Sequence, residues 1–296
     1  MTARNRAELF LFATTFIWGS TFVVVKAGSE HISSALFIAL RFGIGSLIFA
    51  LFLSKELKLI TPQTLKKAGI LGLMLGVGIL LQNYGIYKTT ASKSAFITGL
   101  MVIFTPIAQL IIERRPPKLG NLVGVIIVTY GLYLLTSPSG SEINYGDILV
   151  FISAAIFGVF IVYLDVFSKT ENVLHLAFLQ VMIVTLIALV VVPFETVKFI
   201  PSTQLILSLV YMGTLATVFT TYIQTRFQKD TTPTRAVIIF TIEPVIAAVL
   251  AYFVLDELLG IAGIVGASLI IIGILVSEFF DNFISKTSFK NQSVEN

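Results

Sequence analysis

The chain has no cysteine and, in 296 residues, only one tryptophan and two histidines. The first absence excludes disulfides, thiolate metal sites and cysteine nucleophiles. Charge is also scarce: Asp, Glu, Lys and Arg make up 12% of the chain, against about 25% in soluble domains. Such a chain lacks the polar surface that would keep it dissolved. H-E-x-x-H, G-x-S-x-G and P-loop patterns are missing, so neither an enzyme nor a nucleotide-driven pump is expected, and no cofactor, metal or catalytic residue. No stretch offers room for a soluble domain.

What is present is apolar: 56% hydrophobic residues with 25 Phe and 21 Gly, and a mean hydropathy of +0.95. Glycine is a common packing residue between membrane helices. The composition predicts an integral membrane protein whose partner is the lipid bilayer. The net charge of +4 is spread singly between apolar runs, which points to topology signals and away from nucleic acid. The first apolar run is long enough to span, and "VVVKAGSEH" lacks a cleavage pattern.

A hydrocarbon core of about 30 Å needs roughly 20 apolar residues as helix. Ten runs qualify, near 8–27, 33–54, 67–88, 93–113, 119–136, 146–167, 173–193, 203–227, 234–254 and 260–280. Turn chemistry separates them in "LITPQT", "ERRPPKLG", "TSPSGSEINYG", "FIPSTQ" and "KDTTPT". The expected fold is all-α, with ten transmembrane helices and a polar tail at 281–296. Lys and Arg fall fifteen to the side of the N-terminus and four (Lys26, Lys88, Lys93, Lys198) to the other, with Arg41 inside a span. Both termini are therefore expected in the cytoplasm, with the protein in the cytoplasmic membrane.

The halves 1–137 and 138–280 can be laid over each other. "FIWGSTFVVV" meets "AIFGVFIVYL" at an offset of 139, where Arg41 also meets Gln180; Tyr84 meets Tyr222, and Pro106 meets Pro244, at 138. Gly124 and Gly131 meet Gly266 and Gly273 at 142. Five spans is an odd number, so the second repeat is expected to be inverted. Inverted repeats are a signature of secondary transporters with a midplane site between the halves.

Polar residues in spans should face protein or a water-filled cavity. Thr214, Thr217, Thr221 and Gln224 share one helical face of span eight; Thr98, Thr105 and Gln109 share one of span four; Gln82 and Asn83 end span three. The faces come in repeat-related pairs, the expectation for a substrate cavity, although a threonine can also bond its own helix carbonyl or join neighbouring helices. Trp18, the single tryptophan, fills the cavity wall or the core of span one. Spans five and ten carry glycine faces suited to close packing, within one chain or between two in a homodimer.

Glu243 is the lone acid amid an apolar run, "IFTIEPVIAAVL". Three roles are open to it: proton carrier, partner for a cationic substrate group, or ion-pair partner of Arg41. Arg41 is in turn a substrate-anion ligand or a structural residue whose side chain snorkels to the interface. Pro244 and Pro106 each remove a backbone bond and are expected to bend their helices.

"FIWGSTFVVVK", "ALRFGIGSLI" and "TIEPVIAAVLAYFVLDELLGIAGIVGASLIIIGILVS", in this order and with this spacing, resemble the EamA family of the drug/metabolite transporter superfamily over nearly the whole chain. The resemblance implies a carrier, often an exporter, of amino acids, other metabolites or drugs. It also implies a central cavity walled by spans one, three, four, six, eight and nine. The chain departs from the family pattern at Phe157, where a second tryptophan is common, and at Asp256 and Glu257 in "LDELLG". The function expected is secondary active transport of a small organic solute by alternating access, with proton coupling through Glu243. The alternative is a passive facilitator or pore.

Overall fold

The computed structural model describes residues 2–53, 57–135, 144–256 and 260–292. The junction between the two halves near 137, Lys55, Glu257 and residues 293–296 lie outside them. Among the described residues the fold is all helical, apart from one antiparallel bridge between Ile32 and Phe199.

The helices are α1 (Ala3–Gly28), α2 (Ser34–Leu53), α3 (Pro62–Lys88), α4 (Ala91–Gly99), α5 (Met101–Glu113), α6 (Leu119–Leu135), α7 (Tyr145–Ser168), α8 (Val173–Val191), α9 (Thr203–Gly213), α10 (Thr220–Phe227), α11 (Pro233–Phe240), α12 (Glu243–Leu255) and α13 (Ile261–Gln292). A π-helical segment, Thr214–Phe219, joins α9 to α10. The turn chemistry of the sequence starts these helices. Thr61 caps α3 ahead of Pro62, Asn144 and Asp147 form a capping box on α7, and Thr232 caps α11 ahead of Pro233; each satisfies backbone N–H groups that a helix start leaves orphaned.

With α4–α5, α9–α10 and α11–α12 each taken as one interrupted rod, eight rods are long and apolar enough to cross a membrane. The fifth and tenth, Leu119–Leu134 and Ile261–Ser277, are shorter apolar helices, where run length in the sequence predicts full spans. The last helix continues to Gln292, into the segment expected to be a polar tail.

Close backbone approach at glycine sets the packing, as expected where lipid removes the hydrophobic drive between helices. A Cβ on Gly19 of α1 would lie 2.7 Å from Ile246 and 2.9 Å from the Glu243 carbonyl of α12. Its counterpart Gly158 of α7 packs in the same way on α5, 2.6 Å from Phe104 and 3.1 Å from the Thr105 backbone. Gly124 and Gly131 of α6 meet the carbonyls of Gly273 and Gly266 of α13. The glycine faces of rods five and ten are thus used against each other within one chain. Helices α5 and α12 also end alike, each in a left-handed residue, Arg114 (φ 54°) and Asp256 (φ 55°).

Candidate functional site

Three rods lose regular helix part-way along their length. The fourth breaks after Gly99, where the Leu100 N–H bonds the Ile97 carbonyl at 3.1 Å. The ninth breaks at Thr241–Ile242, and Pro244 then sits in the first turn of α12, where its missing donor costs least. Pro106 behaves differently: it lies inside α5, six residues beyond the break at Leu100. The two prolines thus stand at different places relative to the break in their rods. The eighth rod widens into its π segment, a feature frequent at functional sites.

Between these interruptions lies a cavity, bordered by residues of both halves. Its lining follows the offset between the halves. Trp18 and Phe157, Thr21 and Phe160, and Arg41 and Gln180 all face it, and the members of each pair stand 139 positions apart. Corresponding positions of the two halves thus border a single space, with different chemistry at each. Gln82, Thr98, Thr221, Gln224 and Glu243 complete its polar lining.

Seven of the residues singled out from sequence line the cavity: Trp18, Arg41, Gln82, Thr98, Thr221, Gln224 and Glu243. Trp18 packs edge-on against Phe240, ring centroids 5.2 Å apart. Gln82 donates to Thr98 Oγ1 at 3.0 Å, and Gln224 to Gln228 Oε1 at 3.1 Å. Glu243 is 8% exposed and has no hydrogen bond or ion pair among the described residues. Arg41 is equally buried, at 7%; Nε donates to Thr217 Oγ1 at 2.9 Å and an η nitrogen to the Ala216 carbonyl at 3.0 Å. Its guanidinium also lies 4.9 Å from the Phe42 ring centroid. Arg41 therefore does not snorkel, and it is not paired with Glu243.

Of the other five polar candidates, three link helices and two bond their own. Asn83 donates to Ser34 Oγ at 3.0 Å. Gln109 Oε1 accepts from the Thr234 hydroxyl at 2.6 Å and from its N–H at 3.2 Å. Thr105 and Thr214 donate to their own helices, at Met101 and Val210. Thr217 is the acceptor for Arg41.

The model of the EamA-like transporter family matches residues 5–137 and again residues 144–279. The chain belongs to this family. It is 31% identical over 273 residues to an "uncharacterized transporter" of Archaeoglobus fulgidus, covering 92% of this chain and 86% of that one. It is 26% identical to the "uncharacterized transporter YoaV" of Bacillus subtilis, over 93% and 97% of the two chains. A match of 29% to the "uncharacterized inner membrane transporter YedA" of Escherichia coli K12 covers 52% of each chain. A solved crystal structure superposes with a TM-score of 0.77 over 94% of this chain and 99% of the other, at 18% identity, and shares the fold. The protein is a multi-span membrane protein of the EamA type.

Thr21, Phe157, Phe160, Gln180 and Phe240 line the space but are not picked out by polar periodicity. Gln180 and Phe157 are nevertheless present in the sequence as the 139-offset counterparts of Arg41 and Trp18.

Proposed function

We propose that this EamA-type protein is a secondary active transporter that moves a small organic metabolite, amino acid or drug across the cytoplasmic membrane by alternating access, in the export direction. The observation that carries this reading is the cavity lined by three residue pairs that correspond between the two halves. Equivalent wall positions from two copies of a pattern, entering the membrane from opposite sides, allow the copies to exchange conformations around a fixed site. The twofold match of one family model to the two halves supports the repeat. The export direction and the solute classes follow the family resemblance.

The reading includes ten crossings, with α6 and α13 as the two shorter ones, and both termini in the cytoplasm, as the fifteen-to-four distribution of Lys and Arg favours. Glu243 is the coupling group in this scheme: a carboxyl without a partner among the described residues, bordering the cavity, can exchange a proton with whichever side the cavity faces. The lining offers amides and hydroxyls beside one Arg and one Glu, which suits a neutral or zwitterionic solute better than a phosphate ester. A second copy of the chain would associate through the outward sides of α6 and α13, since their glycine faces are already occupied.

The test is counterflow in proteoliposomes with purified protein and a panel of labelled amino acids and cationic drugs. Accumulation of label against unlabelled solute inside is the expected result. Equilibration without transient accumulation would replace the carrier by a passive facilitator.

A further inference from the structure

We propose that Gln109 and Gln228 form the gate that closes the cavity towards the face carrying the N-terminus, and that α5 and α11 swing as units when it opens. This rests on the carrier reading and says which contacts must break.

The argument begins with how the rods group. Helices α3, α4, α5, α7 and α8 pack on one another, as do α1, α2, α9, α10, α11 and α12. The cavity lies between the two groups, which meet where α2 packs on α8, α4 on α12, α5 on α11 and α10 on α8. Contacts that cross between the groups on the N-terminal side of the cavity are therefore what separates it from that face.

Gln180 of α8 donates to Thr225 Oγ1 of α10 at 3.2 Å in this way, and two further links involve Gln109 and Gln228. Gln109, on α5, lies about 12 Å along the helix from the cavity residue Met101. Its buried amide oxygen accepts both the hydroxyl and the backbone N–H of Thr234, in the first turn of α11. That N–H is one of the orphan donors of a helix start, so the link satisfies a backbone group across the two groups of helices. Gln228, fully buried, donates to the Ile161 carbonyl of α7 at 2.6 Å and accepts from the cavity residue Gln224. The chain Gln224–Gln228–Ile161 thus begins at the cavity wall and crosses the divide.

The mechanical part is also present. The fourth and ninth rods are both interrupted at cavity depth, at Leu100 and at Thr241–Ile242. Their outer halves α4 and α12 pack together through alanines: Ala91, Ala95, Ala247 and Ala251 are all buried in one cluster. Their N-terminal-side halves α5 and α11 also pack together, and Gln109–Thr234 is a polar contact between them. Carrying Gln109 through the 138 offset gives Ala247, so the corresponding place in the other half has no hydrogen-bonding side chain. A buried hydrogen bond to a side-chain amide is directional and is lost outright once its partners separate, and water entering the gap can re-satisfy both groups. That suits a contact made and broken in each cycle.

The absence of cysteine makes the test direct. A single thiol is placed in the cavity as Thr21→Cys, and its reaction with a membrane-impermeant charged maleimide is followed in vesicles sorted for outward-facing N-termini by an N-terminal affinity tag. Adding Gln109→Leu, Gln228→Leu or the near-isosteric Thr234→Val should raise the labelling rate from the N-terminal face, about tenfold or more for the double glutamine variant and less for Thr234→Val, which keeps its N–H. The melting temperature of each variant shows that it is folded. An unchanged rate in folded variants, or a rise only from the opposite face, overturns the gate while leaving the carrier intact. Equal labelling from both faces before any gate substitution overturns both, because the cavity would then be a continuous pore.

Discussion

The Arg41 guanidinium donates from Nε to Thr217 Oγ1 at 2.9 Å, tying the second helix to the π-helical segment of the eighth rod. A second donation from Arg41, to the Ala216 carbonyl, makes this a two-point attachment. The charge that looks like a substrate ligand in the sequence thus holds the wall in which Thr221 and Gln224 sit. Arg41→Ala should lower stability by about 2–4 kcal/mol, because two buried acceptors lose their donor. Arg41→Lys keeps the charge but not the fork, and should recover less than half of that. Denaturant unfolding of the purified protein in detergent measures both; full recovery by lysine would mean that charge alone matters.

Glu243→Gln should spare counterflow but abolish accumulation driven by a pH gradient. The amide keeps the shape of the side chain and removes its proton exchange. Concentrative uptake by the variant on a pH gradient would remove Glu243 as the coupling group.

The single tryptophan borders the cavity, so its emission should report occupancy. A transported solute is expected to change Trp18 fluorescence saturably, with a midpoint that tracks its potency in counterflow. A solute that is carried without any effect on Trp18 would place the site elsewhere.

Gly19→Ala would push a methyl against Ile246 and the Glu243 carbonyl, separating α1 from α12. A cost of about 1–3 kcal/mol is expected for such overpacking. Around Gly69 of α3, by contrast, nothing lies within 4 Å of the place a methyl would take. Gly69→Ala should therefore be neutral or stabilise by about 0.5–1 kcal/mol through helix propensity. Melting temperatures of the two variants should move in opposite directions or differ clearly in size.

In the loop between α7 and α8, Glu171 accepts from Lys67 Nζ at 2.6 Å and from Thr64 Oγ1 at 2.5 Å. The lysine contact, helped by the threonine, holds its carboxyl below the usual carboxylate range. A depressed folded-state pKa contributes stability above the unfolded value of about 4.3, and that contribution fades as pH falls through the folded value. Glu171→Gln should cost at most about 1 kcal/mol at neutral pH and flatten the loss of stability on acidification. An acid limb as steep as in the unsubstituted protein would assign it to other carboxyls.

Much of this architecture is legible in the chain because the bilayer is a demanding solvent. Backbone groups must be satisfied within each segment, so apolar runs become helices and loops keep their capping residues, as Thr61, Asn144 and Thr232 do here. The correspondence between the halves is legible for a related reason: Gly19 and Gly158 must both be small, since each receives a neighbouring helix at the corresponding place. Helix periodicity places Thr98, Thr105 and Gln109 on one face but does not say what that face meets. Thr98 reaches the cavity, Thr105 bonds its own helix, and Gln109 crosses to Thr234.

The sequence by itself determined that this protein lives in a membrane, that it is helical, that its two halves correspond at a near-constant offset and that it belongs with the EamA-type transporters. The first three follow from composition, run length and spacing, which need no knowledge of neighbours; the last rests on resemblance to the family over both halves. Only the tertiary structure decided which polar groups border open space and which are consumed between helices, and that Arg41 and Glu243 stand unpaired with each other. The physical reason is that a polar side chain in lipid must find a partner, and whether that partner is a neighbouring helix or a solute depends on contacts between residues far apart in the chain.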